Sequence, residues 1–168
     1  MTDVPESVER AFDYHDAFEP DGDGYIVTTT AFEGRVSAVD GPEYYAAYTV
    51  TVRVPTLDGA TADEVGDAVA DGWFETFERR LEDAPQATRA AVDLDTFDVE
   101  REEEDIYVTF GFEWGNADKA AEIAKAFVEY VEGTYVEGVI PGYEYVEPVS
   151  NLVDTASQEG GGGGGTPL

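Results

Sequence analysis

The chain begins with a helical stripe. In "PESVERAFDYHDA" (residues 5–17), Val8, Ala11, Phe12 and His15 recur at helical spacing behind Pro5 and Glu6, which predicts a short amphipathic helix. The period then shortens to two. Ile26, Thr28, Thr30 and Phe32 alternate with Tyr25, Val27, Thr29 and Ala31, so residues 25–39 read as one bent strand or two strands meeting near Glu33 and Gly34. "VDGPEY" supplies a hairpin turn at Asp40 and Gly41. In the strand that follows, Tyr44, Ala46, Tyr48, Val50, Val52 and Val54 point one way, and Tyr45, Ala47, Thr49, Thr51 and Arg53 the other.

Pro55 ends that strand. Thr61 as N-cap, with Glu64 at the capping-box position, predicts a helix to about Asp83 on a stripe that includes Val65, Val69, Trp73 and Phe77. Residues 92–115 read as a second hairpin turning in the acidic run 102–105, its return strand alternating Ile106, Val108, Phe110, Phe112 and Trp114 with Tyr107, Thr109, Gly111 and Glu113. Asn116 caps a final helix over 117–133 with Ala120, Ala121 and Ala124 on a small-residue face, and "GVIPGYEYVEP" (138–148) reads as a further edge strand. The expectation is an α+β fold of order α-β-β(-β)-α-β-β-α: one antiparallel sheet of about five strands with helices packed on one face. Residues 1–148 form its single domain and 149–168 a flexible glycine-rich tail. This element order resembles the bacterial secretion-chaperone type of α+β fold, a likeness that implies protein binding and, often, dimers.

Composition narrows the setting. The 168 residues carry 38 Asp and Glu against 9 Lys and Arg, a formal net charge of -29, while 42% hydrophobic and 12% aromatic residues argue for a packed core under that charge. Self-repulsion of this size strains a compact fold in dilute buffer. Molar salt shortens the Debye length to about 3 Å and removes most of it, so a salt-rich cytoplasm is expected, with a mesophilic acidic interaction protein as the alternative. The same charge repels nucleic acid and anionic lipid, leaving a protein partner or self-association. Lack of cysteine excludes disulfides, thiolate nucleophiles and cysteine-ligated metal, and no cofactor is expected. The N-terminus lacks a basic start and an apolar run, and no apolar stretch approaches the ~20 residues of a membrane span.

"VERAFDYHDAFE", "YIVTTTAFEGRVSA", "YTVTVRVPTLDGATADEV" and "DGWFETFERRLED" together resemble a family of small acidic haloarchaeal proteins of unknown function. The resemblance covers most of residues 4–150. It implies a salty cytoplasm and carries no catalytic residue.

Four chemistries are weighed against the residues. "EPDGDGYI" (19–26) places Glu19, Asp21 and Asp23 at calcium-loop ligand spacing with Gly24 at the turn. The twelfth position is Thr30, not a bidentate carboxylate, and a strand follows where an exit helix is needed, so a polar turn is the preferred reading. His15, the only imidazole, is flanked by Asp13 and Asp16, and no serine sits in a nucleophile elbow. A hydrolase using a carboxylate pair stays an alternative, but so many acids make proximity of some pair uninformative. The hexaglycine run lacks the strand-to-helix context of a phosphate loop. What stands out is Tyr45, Thr49, Thr51 and Arg53 on one strand and Tyr107 and Thr109 on another: aromatics, hydroxyls and a scarce arginine on the side the helices leave open, in the pattern of an interaction face. The expected function is a non-catalytic, chaperone-like or adaptor interaction module, with a small-ligand or divalent-metal binder as the other alternative.

Overall fold

The computed structural model describes residues 4–159 of the chain. Helix α1 (Glu6–Tyr14) buries Val8, Ala11 and Phe12, the stripe seen in the sequence. Strands β1 (Phe18–Asp21), β2 (Gly24–Val27), β3 (Glu33–Asp40) and β4 (Ala46–Pro55) follow. After them come α2 (Leu57–Ala60), α3 (Asp67–Leu81), a 3-10 turn at Ala84–Ala87, β5 (Thr96–Glu102), β6 (Asp105–Trp114), α4 (Ala117–Glu137) and α5 (Val149–Glu159). The fold is α+β with one antiparallel sheet of order β1-β2-β3-β4-β6-β5.

Alternation along the strands sends one row of side chains under the helices. Val36 and Ala38 of β3, Tyr48, Val50, Val52 and Val54 of β4, and Ile106, Val108, Phe110 and Phe112 of β6 are all buried there. Helix α4 lies over them with Ala120, Ala121, Ala124, Phe127, Val128 and Val131 buried. Small residues on its face let the backbone come close, and Gly34 completes the fit: a Cβ at Gly34 would stand 2.5 Å from Val128 Cγ1. Each large side chain taken fully out of water contributes about 1.5–3 kcal/mol, so the junction of the sheet with α4 dominates the stabilisation. Phe12 of α1 joins this core through the rings of Phe18, Tyr25 and Tyr48.

Several elements depart from the sequence expectation. The polar corner is itself a hairpin, β1 with β2 through a turn at Gly22 (φ +60°), which raises the strand count to six. Of the two readings of 25–39, the structure has two strands, β2 and β3, separated by residues 28–32, a stretch that the acids of α4 hold: Glu129 Oε2 accepts from Thr29 Oγ1 at 3.0 Å and Glu132 Oε2 from the Ala31 amide at 2.6 Å. Thr61 is no N-cap. Thr56 caps the one-turn α2, its Oγ1 accepting from the Gly59 amide at 3.0 Å, and α3 starts later behind Gly66. Tyr44, expected on the core side, is exposed because β4 begins two residues after it. Residues 138–148 form no edge strand; a single bridge pairs Thr61 with Tyr145. Where a flexible tail was expected from residue 149, α5 occupies 149–159 with Val149 buried, and the glycine run lies outside the described residues.

Candidate functional site

Pairing register defines the sheet face opposite the helices. Arg35 of β3 lies across from Thr51 of β4, and Thr51 across from Thr109 of β6. One step along, Glu33, Arg53 and Tyr107 form the next row; in the other direction, Ser37, Thr49 and Gly111 form another. Thr49 and Arg53 are exposed, and Thr51, Tyr107 and Thr109 are half-buried by their neighbours. Five of the six residues singled out in the sequence therefore share one surface. Tyr45 is the outlier. It precedes β4, six positions from Thr51, which at about 3.4 Å per residue puts it roughly 20 Å away at the far end of the face.

The distribution of charge on this surface is uneven. Between Glu33 and Glu113 the outward positions of the three central strands are Arg35, Ser37, Val39, Ala47, Thr49, Thr51, Arg53, Tyr107, Thr109 and Gly111, with no carboxylate among them. Acids gather at the margins: Glu19 and Asp21 on β1, and Asp98, Glu100 and Glu102 on β5. Arg35, Ser37 and Val39 were missed in the sequence. Their alternation with Val36 and Ala38 in "GRVSAV" carries the signal, but the strand boundary placed near Gly34 obscured it.

A cleft of about 320 Å³ closes one end of the face, lined among others by Phe32, Glu33, Arg53, Asp105 and Glu147. Among the described residues Arg53 has no ion-pair partner. A second cleft, of about 360 Å³, lies at the Tyr45 end with Asp93, Asp95, Glu113 and Gly115.

The other candidates sit elsewhere. Asp21 is ion-paired with Arg35, whose second nitrogen also donates to the Asp21 carbonyl at 2.6 Å, so this carboxylate ties the β1–β2 hairpin to β3. Among the described residues, no group of three or more His, Asp or Glu side chains is placed to hold a metal ion. His15 uses both ring nitrogens: Nδ1 accepts from the Ala17 amide at 3.1 Å, which puts the proton on Nε2, and Nε2 faces Glu122 Oε2 at 2.6 Å. It straps α1 to α4. Four tyrosines hold their protons more tightly than usual. Burial, reinforced by Asp13 and Glu9, pushes Tyr25 up to about 12, and burial alone pushes Tyr48 up to about 12. Tyr135 and Tyr145 are raised as well, chiefly by burial. Tyr25, Tyr48 and Tyr135 are core residues and none of the four belongs to the open face.

The model of a family of unknown function, DUF5813, matches residues 13–155. The chain belongs to this family. The DUF5813 match runs from the end of α1 into α5 and so takes in every strand of the sheet and both clefts. No curated protein matches the chain, and no solved structure does. Among the described residues no helix is long and apolar enough to cross a membrane.

Proposed function

We propose that this DUF5813 protein is a non-catalytic interaction module of a salt-rich cytoplasm, and that its open sheet face docks a protein partner or a second copy of itself. One observation carries the reading: in a chain with 38 acids, the outward positions of the three central strands between Glu33 and Glu113 hold no carboxylate and include Arg35, Arg53 and Tyr107 among hydroxyls, with Glu33 and the Arg35-paired Asp21 at the border. Interface centres are depleted of acids and enriched in arginine and tyrosine, with a polar rim around them. The margins supplied by β1 and β5 fit such a rim. The likeness of element order to secretion chaperones points the same way by analogy alone. The excess of acid and the presence of only two lysines, Lys119 and Lys125, support the salty compartment.

The test places charge in the strip. Thr51→Glu combined with Thr109→Glu should abolish association, read as mass by light scattering for a self-complex, or as recovery from a lysate in molar KCl for a partner. Thr51 and Thr109 are half-buried and directly opposite each other, with Asp98 next in the row, so the paired glutamates should also lower the thermal transition, and an uncharged Thr51→Gln, Thr109→Gln variant is measured beside them to separate charge from stability. Unchanged association in a folded variant would refute the reading.

A further inference from the structure

The two edges of the sheet differ. β1 is four residues long, contains Pro20 and is pinned by the Asp21–Arg35 pair, so it offers little to a further strand. β5 is seven residues long, pairs only with β6, and presents its outer backbone groups without a neighbour among the described residues. Its side chains alternate sharply. Asp98, Glu100 and Glu102 point to the open face, while Phe97 and Val99 lie half-buried on the helix side. There the Phe74 ring of α3 sits under the Arg101 guanidinium at 4.6 Å, and Arg101 pairs with Asp71 at 3.1 Å, which fixes that side of the edge.

A second copy is a poor occupant. In a two-fold antiparallel pairing that keeps both helix layers on one side, Asp98 and Glu100 of one β5 fall opposite acids of the other, at about 5 Å, where like charges destabilise a pair. A cationic row removes that penalty and replaces it with attraction. We infer that the free edge of β5 receives an extended basic segment of a partner protein, with lysine or arginine at every second position facing Asp98, Glu100 and Glu102, and apolar side chains between them beside Phe97 and Val99. This inference rests on the interaction reading above and names the chemistry of its partner. Backbone hydrogen bonds along the edge hold the segment, and alternation of its side chains selects it.

The experiment uses the full chain and a short, terminally capped peptide alternating lysine and valine, with a glutamate–valine counterpart, followed by fluorescence anisotropy and hydrogen–deuterium exchange. The lysine peptide should bind, slow exchange of the amides of residues 96–102, and lose part but not all of its affinity as KCl rises to molar, because the backbone hydrogen bonds remain, whereas the glutamate peptide should not bind. Asp98→Lys with Glu100→Lys should weaken the lysine peptide roughly tenfold and admit the glutamate peptide. Binding that leaves β5 exchange unchanged, or no binding at all, overturns the inference, and the acids are then a guard against edge pairing. Partner association that survives the β5 reversal but is lost in the Thr51→Glu, Thr109→Glu variant would keep the open-face reading and discard the edge.

Discussion

Glu132 Oε2 accepts two backbone hydrogen bonds from the loop between β2 and β3, from the Ala31 amide at 2.6 Å and from the Phe32 amide at 3.2 Å. One carboxylate on α4 thereby satisfies two neighbouring donors in a stretch with no strand partner. Glu132→Ala should destabilise the protein by about 1–2 kcal/mol in denaturant titration, towards the lower end because Ala31 is exposed. Amide exchange at Ala31 and Phe32 should rise faster than global exchange. Equal acceleration everywhere would show that the loop is not what Glu132 holds.

Gly34 sits where α4 crosses β3. Gly34→Ala would drive a methyl against the Val128 methyls, at 2.5 and 2.8 Å, and Val128 is a stiff β-branched side chain with no exposure. A cost of about 1–3 kcal/mol is expected, partly recovered in the Gly34→Ala, Val128→Ala double variant. No loss in the single variant would mean that α4 stands farther from the sheet than described.

Tyr135 is buried among Phe32, Trp73 and Phe77, and among the described residues its hydroxyl has no hydrogen-bond partner. An unpaired buried hydroxyl costs about 1–3 kcal/mol. Tyr135→Phe should therefore match or exceed the parent in stability. Tyr25→Phe should lose stability, because that hydroxyl donates to the Glu9 carbonyl and to Asp13 Oδ1, each at 3.3 Å. Reversal of this order in urea titrations would contradict the assignment.

Alkaline pH provides a separate check. Tyr25 and Tyr48 keep their protons up to about 12 in the folded state, against about 10 in an unfolded chain. Between those values the unfolded state has released protons that the folded state still binds, so stability falls as pH rises. Below about 10 these groups contribute no pH dependence. Tyr48→Phe should flatten the decline above 10, measured as the denaturation midpoint against pH.

Salt should act through the whole surface rather than one pair. With a net charge of -29, the thermal midpoint should climb steadily as KCl goes from millimolar to molar. A midpoint indifferent to KCl would remove the physical basis for placing the protein in a salty compartment.

Legibility in the sequence followed periodicity. The alternation Tyr48, Val50, Val52, Val54 and its match at Ile106, Val108, Phe110, Phe112 is long and regular, and it located both central strands and their inner face. The outward partners Thr51, Arg53, Tyr107 and Thr109 came with it, since two strands that alternate in register share both faces. Short elements stayed hidden. β1 and α2 have four residues each, too few for any period, and α2 contains Gly59. α5 has apolar Val149, Leu152 and Val153 at helical spacing, but the adjacent glycine run dominated the reading of that end. The break at 28–32 depends on Glu129 and Glu132, some hundred residues distant, and no local pattern reports such a tether.

That separation also bears on synthesis. His15, Thr29 and Ala31 are fastened by Glu122, Glu129 and Glu132, at sequence distances of 107, 100 and 101 residues. A ribosome releases the amino-terminal helix and hairpin long before it makes their clasp, so these long-range contacts can form only after most of the polypeptide has emerged.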